Sequence, residues 1–287
     1  MTENLSKKTQ MADFSSVAMI QGNPKYEQAS SRLTEIYKTE YDTRSPFERD
    51  EHRLLHCTAY RRMKNKTQVF FATENDHICT RIEHVTHVAS IAETIAKNLN
   101  LNAELVNAIA IGHDIGHAPF GHHGEFILNE LVQRLGICIR FWHEGNSLNF
   151  VDNIELLPDY KGHWKNLNLT YAVRDGIVCH CGEVNEKNIK PREEFFNLVD
   201  IQYASHVMPF TYEGCVVKLS DTIAYLSRDI EDALIYKILT ERQMKDIEHI
   251  TQKAFPYDRL DEVGPKVLTY YFIKDLCRNS TPEDGLM

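Results

Sequence analysis

The chain lacks the features that would place it in a membrane or outside the cell. No apolar run in its 287 residues approaches the roughly 18 that a membrane-spanning helix needs. The opening residues, MTENLSKKTQMADF, hold no apolar core and no small-residue cleavage pattern, so no secretory leader is expected. Cysteine is present but unpatterned. Seven thiols at scattered spacings read as reduced groups, and a cytoplasmic location is expected. Positive charge is in deficit: 32 basic against 41 acidic residues leave a net charge of −9. That balance argues against a general nucleic-acid binder but leaves room for an anionic ligand in a local basic pocket. There is no G-x-x-x-x-G-K-S/T loop, which excludes a P-loop NTPase. Internal repeats, low-complexity tracts and clear linkers are also missing. No useful β alternation exists; TQVFFAT (67–73) is the best strand candidate.

What remains reads as a helical globular protein. Hydrophobic residues make up 43% and charged residues 25%, ordinary fractions for a folded chain. Residues 1–30 are polar and aperiodic, an N-terminal arm that is either mobile or wrapped on the surface. Residues 31–287 read as a single domain with its patterned core over about 45–235. Val85, Val88, Ala92, Ile95, Ala96 and Leu99 share one helical face. Asn100 and Asn102 then offer a stop and a new N-cap. Residues 103–116 are apolar nearly all round, which predicts a central helix covered on every side. APFG (118–121) breaks it, and a helical pattern resumes over 122–135 through Phe126, Ile127, Leu131 and Leu135. The stretch 136–200 predicts short helices and long loops. A further helix is expected over 215–236, with Leu219, Ile223, Leu226 and Ile230 as its apolar stripe. Asp221, Tyr225 and Asp229 step by four and share a separate face. The C-terminal segment reads as helical with a break near Phe255-Pro256. The expected fold class is all-α, with loop insertions and at most one minor short hairpin.

Histidine is abundant. Of 14, six (His84, His87, His113, His117, His122 and His123) fall within 40 residues. His113-Asp114 lies on the most apolar helix. Burying an ionised Asp beside an imidazole is costly unless something compensates both. A divalent ion does so, and His84 and Asp221 offer further ligands of the right chemistry. The plainer alternative, a His-Asp pair that satisfies itself, loses weight in this helical, histidine-dense context. Cys179-His180-Cys181 invites a zinc reading, but a structural site needs four ligands, usually in paired spacings. No second pair is evident, so zinc is not expected there.

The series His84…His113-Asp114…Asp221 resembles the H…HD…D motif of the HD superfamily of metal-dependent phosphohydrolases. SPFERDEHRLLHCTAYRRMKNKTQVF (45–70), TRIEH (80–84), GHDIGHAPFGHHGE (112–125), NLTYAVRDGI (168–177) and SDTIAYLSRDIEDAL (220–234) resemble deoxyguanosine triphosphate triphosphohydrolases (dGTPases) and related bacterial dNTP triphosphohydrolases. The resemblance implies an HD-domain helical fold. It also implies hydrolysis of dGTP or another dNTP to the deoxynucleoside and inorganic tripolyphosphate, with water attacking the α-phosphate. The alternatives are an HD phosphohydrolase of nucleoside monophosphates or other phosphoesters, and a nucleotide- or single-strand-binding regulator with little turnover.

By the same resemblance, His84, His113, Asp114 and Asp221 hold a divalent metal ion. Manganese is favoured, and magnesium, iron, nickel or zinc are compatible. His122 and Glu125 match catalytic positions: the imidazole can protonate an alkoxide leaving group, and a carboxylate one turn away can orient it and raise its pKa. His143, in FWHEGNSLNF, lies where the family has another active-site histidine, with altered flanks. His87 stands where the family often has Glu. Arg53, Arg62, Lys66 and Arg81 are the candidate substrate cations, with Arg81 just before His84 and able to reach a phosphate beside the ion. His117, one turn from His113, is a candidate at the substrate or the ion. Tyr225 and Asp229 match positions that close over the deoxyribose and its 3′ hydroxyl, where the ring would exclude a 2′ hydroxyl. The resemblance further implies a homo-oligomer, dimer-based or hexameric. No membrane partner is expected, and the net charge does not support nucleic acid.

Overall fold

The computed structural model describes residues 12–34, 42–68, 78–159, 161–181, 187–203, 207–255 and 265–287. In chain order its main elements are α1 (Tyr26–Ser30), α2 (Pro46–His56), α3 (Thr58–Arg62), α4 (Arg81–Leu99), α5 (Ala103–Gly112), α6 (Gly121–Arg134) and α7 (His143–Asn149). An antiparallel hairpin follows, β1 (Leu156–Pro158) with β2 (Trp164–Asn166). Then come α8 (Tyr171–Cys179), α9 (Tyr212–Ile235), α10 (Glu241–Ala254) and α11 (Pro265–Asn279). The fold is all-α with loop insertions and, among the described residues, one short hairpin, as expected. That hairpin is not at 67–73: Thr67 forms an isolated bridge with Thr80, and 69–73 lie outside the described residues. No described helix is long and apolar enough to cross a membrane.

Helix α5 is the hub. Its Leu105, Val106, Ala108, Ile109 and Ala110 are fully buried, between α4, α2, α8 and α9. Asn102 caps it, accepting from the Glu104 and Leu105 amides at 3.0 and 3.2 Å. Before it, Asn100 ends α4 in a left-handed conformation (φ 58°). The apolar face expected on α4 is buried in full. The central helix is shorter than its apolar run. It stops at Gly112, and bonds of the 3₁₀ type (Ile115 N to Gly112 O at 3.3 Å, His117 N to Asp114 O at 3.1 Å) tighten residues 113–117 into turns.

Those turns receive α7. The Ser147 hydroxyl accepts from the Gly116 amide and donates to His113 O, both at 3.0 Å. Asn146 donates to Gly116 O at 2.6 Å. A Cβ at Gly116 would stand 2.2 Å from Ser147 N, so only glycine admits this contact. In the N-terminal segment, Phe14 is buried edge-on against Tyr212, centroids 5.1 Å apart. Buried Glu213 accepts from the Met19 and Asn102 amides at 2.8 and 3.1 Å.

Two expected apolar faces differ from the observed ones. On α6, Phe126, Ile127 and Leu131 are exposed, as is Leu135 just after it; the pattern makes a helix, but no described residue covers that side. On α9, Leu226 is exposed and Leu219 and Ile230 are half-buried, leaving Ile223 as the buried member of the expected stripe. The face turned inward instead carries Val216, Ser220, Ile223, Ala224 and Ser227. Small and hydroxylated residues make that stripe, so hydrophobicity alone does not mark it.

Candidate active site

Four helices bring their ends or faces to one point. The first turn of α4 supplies Arg81 and His84, the turn after α5 supplies His113 and Asp114, and α9 supplies Asp221. The C-cap of α8 adds His180. His84 Nε2 lies 2.9 Å from Asp221 Oδ1. His113 Nε2 is 3.5 Å from Asp114 Oδ2 and 3.9 Å from Asp221 Oδ1. His180 Nε2 is 3.9 Å from Asp114 Oδ1.

The imidazoles are oriented from behind. His113 Nδ1 donates to Ala110 O and His180 Nδ1 to Ile177 O, each at 2.7 Å. A carbonyl only accepts, so Nδ1 carries a proton and the Nε2 of each ring faces the cluster. Both Nε2 atoms are buried with no hydrogen-bond partner. The His84 and His113 imidazoles beside the Asp114 and Asp221 carboxylates form a donor set that fits a divalent cation, with His180 Nε2 at its edge. Electrostatics agree. Burial opposes charge on His113, yet the Asp114 and Asp221 carboxylates raise its pKa to about 9. Burial likewise opposes charge on Asp114, and the Arg81 guanidinium, which donates to it, holds it well below the usual carboxylate range. Arg81 also donates to Thr67 O and Gln68 O at 3.3 and 3.2 Å.

The HD domain family matches residues 81–226, the stretch that spans every one of these donors. The chain belongs to that family. Its relatives include proteins named deoxyguanosinetriphosphate triphosphohydrolase-like. The one from Clostridium tetani is 35% identical over 283 residues, covering 98% of this chain and 69% of the relative. That of Caldanaerobacter subterraneus is 41% identical over 207 residues, 72% of this chain and 51% of the relative. That of Desulfatibacillum aliphaticivorans is 37% identical over 246 residues, 85% and 60% respectively. The chain thus spans about half to two thirds of the length of these relatives. Among solved structures, the HD domain of the L. monocytogenes phosphodiesterase PgpH is 15% identical at a TM-score of 0.31, covering 67% of this chain and 88% of that one.

Above the HD donors lies a cleft of two adjoining cavities, about 260 and 470 Å³, which share His122, His143, Cys181, Asp221 and Tyr225. Arg81, His84, Asp114, His117 and Asp229 line the smaller, and Glu125 the larger. Lys66 joins from behind, donating to His117 O at 2.6 Å; burial and nearby Arg81 lower its pKa to about 8. His117 stacks on His143 with centroids 4.3 Å apart. Burial pushes the His117 pKa down. For His143, burial is outweighed by Glu125 and Glu144, which push it up.

Three sequence expectations change. Glu125 does not orient His122: its Oε2 accepts from His143 Nδ1 at 2.8 Å and stands 4.0 Å from His122 Nδ1. Chain proximity favours His122, but the cleft geometry favours the buried ring from α7. Arg53 is not in the cleft. It donates to Leu167 O and Asn166 O at 2.5 and 3.0 Å and lines a separate cavity of about 440 Å³. Arg62 is not there either; its exposed guanidinium lies 3.5 Å from Glu155. Their clustering along the chain is not clustering in space, because α2 and α3 turn these side chains to other surfaces. One candidate was missed, His180. Its signal was available: two apolar helices end in an imidazole, AIAIGH and DGIVCH.

Proposed function

We propose that the chain hydrolyses a deoxynucleoside triphosphate, dGTP or another, to the deoxynucleoside and inorganic tripolyphosphate, with water attacking the α-phosphorus. The observation that carries this is the convergence of the H…HD…D donors on the floor of a histidine-lined cleft. The names of the relatives supply the substrate class. His84, His113, Asp114 and Asp221 would hold the divalent ion, with manganese favoured. When bound, such an ion supplies Lewis acidity to a phosphoryl group.

The protein's own residues do the rest. Arg81 and Lys66 place positive charge beside the donors, where a triphosphate needs it. His122 keeps an exposed ring, 78% accessible, at the junction of both cavities. In this reading it delivers the proton to the departing 5′ oxygen, a poor leaving group without one. His117, held neutral by burial, packs against His143 and shapes the wall between them. Tyr225 and Asp229, on the cleft side of α9, receive the deoxyribose. The tyrosine ring against C2′ disfavours a ribonucleotide, and the carboxylate accepts from the 3′ hydroxyl. The same reading extends to a homo-oligomer, supported by the uncovered apolar residues of α6, and to a cytoplasmic setting, supported by seven free thiols.

The test is product analysis. Purified protein with manganese is given each dNTP and each NTP, with Asp221→Asn as control. Tripolyphosphate and a deoxynucleoside, absent in the control, are expected. Pyrophosphate with a monophosphate, or cleavage of monoesters while triphosphates stay intact, would overturn the reading.

A further inference from the structure

One cation on the wall of the larger cavity makes no ion pair with any described residue. Arg140 lines that cavity from the loop between α6 and α7. The loop is fixed at the next residue: Asn129 of α6 donates to Phe141 O at 2.8 Å and accepts from Phe141 N at 2.9 Å. The Arg140 guanidinium lies over the Tyr203 ring, 4.9 Å from its centroid. We propose that Arg140 is a specificity residue that grips the terminal phosphate of a deoxynucleoside triphosphate, with Tyr203 holding the guanidinium in place. This rests on the dNTP reading above and names the residue that tells a triphosphate from shorter esters.

The cavities set the direction of the phosphate tail. With the α-phosphate at the HD donors, Tyr225 and Asp229 take the sugar in the smaller cavity, about 260 Å³. The β- and γ-phosphates leave the α-phosphorus away from the sugar, and like-charge repulsion keeps them extended. The larger cavity, about 470 Å³, opens from the same junction at His122, His143 and Asp221. Arg140 lines the larger cavity and not the smaller, so it faces the tail rather than the α-phosphate. Glu125 and Glu144 also line the larger cavity, and carboxylates repel a polyanion. Both turn to His143 Nδ1, at 2.8 and 3.4 Å, so an imidazole shares their charge. Among the described lining residues, Arg140 is the only arginine or lysine. A guanidinium laid on an aromatic face is pre-organised, and its planar N–H fork matches two phosphate oxygens.

The experiment compares kcat/KM for the preferred dNTP and for its deoxynucleoside diphosphate on the full, manganese-loaded chain. Arg140→Ala should lower the triphosphate-to-diphosphate ratio by roughly 10–100-fold, chiefly through KM of the triphosphate. Arg140→Lys should recover part of it. Tyr203→Leu should lower the ratio too, and Tyr203→Phe, which keeps the ring, should restore it. Arg62 also lies over a ring, 5.7 Å from the Phe150 centroid, but outside the cleft; Arg62→Ala should leave the ratio as in wild type. Calorimetry with inorganic tripolyphosphate separates this assignment from the dNTP reading, because Arg140→Ala should weaken its binding whichever ester is hydrolysed. A wild type that turns over no dNTP sinks the dNTP reading, and the calorimetry then judges Arg140. The proposal is overturned if Arg140→Ala keeps the wild-type ratio, if Arg62→Ala lowers it equally, or if tripolyphosphate binds wild type and Arg140→Ala alike.

Discussion

Glu125 lies one helical turn from His122, yet its carboxylate bonds His143, 18 residues further on, at 2.8 Å against 4.0 Å. The catalytic coupling should follow the bond. In a double-mutant cycle on kcat, Glu125→Ala and His143→Ala should be non-additive by about 0.5–3 kcal/mol. Glu125→Ala and His122→Ala should be additive. Removing the orienting carboxylate alone should cost roughly 10–100-fold in activity. Coupling of Glu125 to His122 instead would show that the working geometry differs from this one.

Asp114 has a structural duty besides its proposed ligation. Arg81 is 3% exposed and Asp114 is its carboxylate partner. Asp114→Ala leaves that guanidinium buried without its counter-charge and should destabilise the fold by about 3–5 kcal/mol in urea unfolding. Asp221, with a side chain 17% exposed, should cost clearly less when replaced by Ala. Equal losses would mean that the Arg81 contact carries no special weight.

If Lys66 assists the proposed anion site from behind the cleft, anion binding should depend on pH. Burial and Arg81 lower its pKa to about 8 from 10.5. Below that value the ammonium is present, and as pH rises through it the charge is lost. Affinity for inorganic tripolyphosphate, read by calorimetry, should therefore fall as pH climbs past about 8. Lys66→Arg should flatten the profile, since guanidinium stays charged. The stability effect has the opposite sign. The buried charge costs most below pH 8, and the cost is relieved between about 8 and 10.5, where the unfolded chain holds the extra proton.

Gly116 sets the approach of α7. A methyl group there would meet Ser147 N at 2.2 Å, backbone that cannot rotate aside. Gly116→Ala should destabilise by about 1–3 kcal/mol and lower kcat by displacing His143. A fully active, equally stable variant would contradict the packing described.

Tyr225→Ala should narrow the preference for deoxynucleotides, raising kcat/KM for an NTP relative to its dNTP by roughly tenfold. An unchanged ratio would remove Tyr225 from sugar selection.

Much of this was legible in the chain. Val85 through Leu99, the Asn102 cap and the four HD donors follow from local spacing and chemistry. What stayed hidden depends on contacts across the fold. His180 reaches the site because α8 and α5 end at the same place. Glu125 takes its partner from α7. Arg53 and Arg62 look like part of one basic cluster until α2 and α3 point them elsewhere. On α6 and α9 a helical period was readable, but which face lies inward depends on neighbours that periodicity does not see.

The central claim is attack at the α-phosphorus with departure of the 5′ oxygen. The most direct measurement is single-turnover hydrolysis of a dNTP in heavy-oxygen water, with both products analysed by mass. The label should appear once in tripolyphosphate and not in the deoxynucleoside. Label in the deoxynucleoside, or release of labelled pyrophosphate or orthophosphate with a nucleotide product, would contradict it.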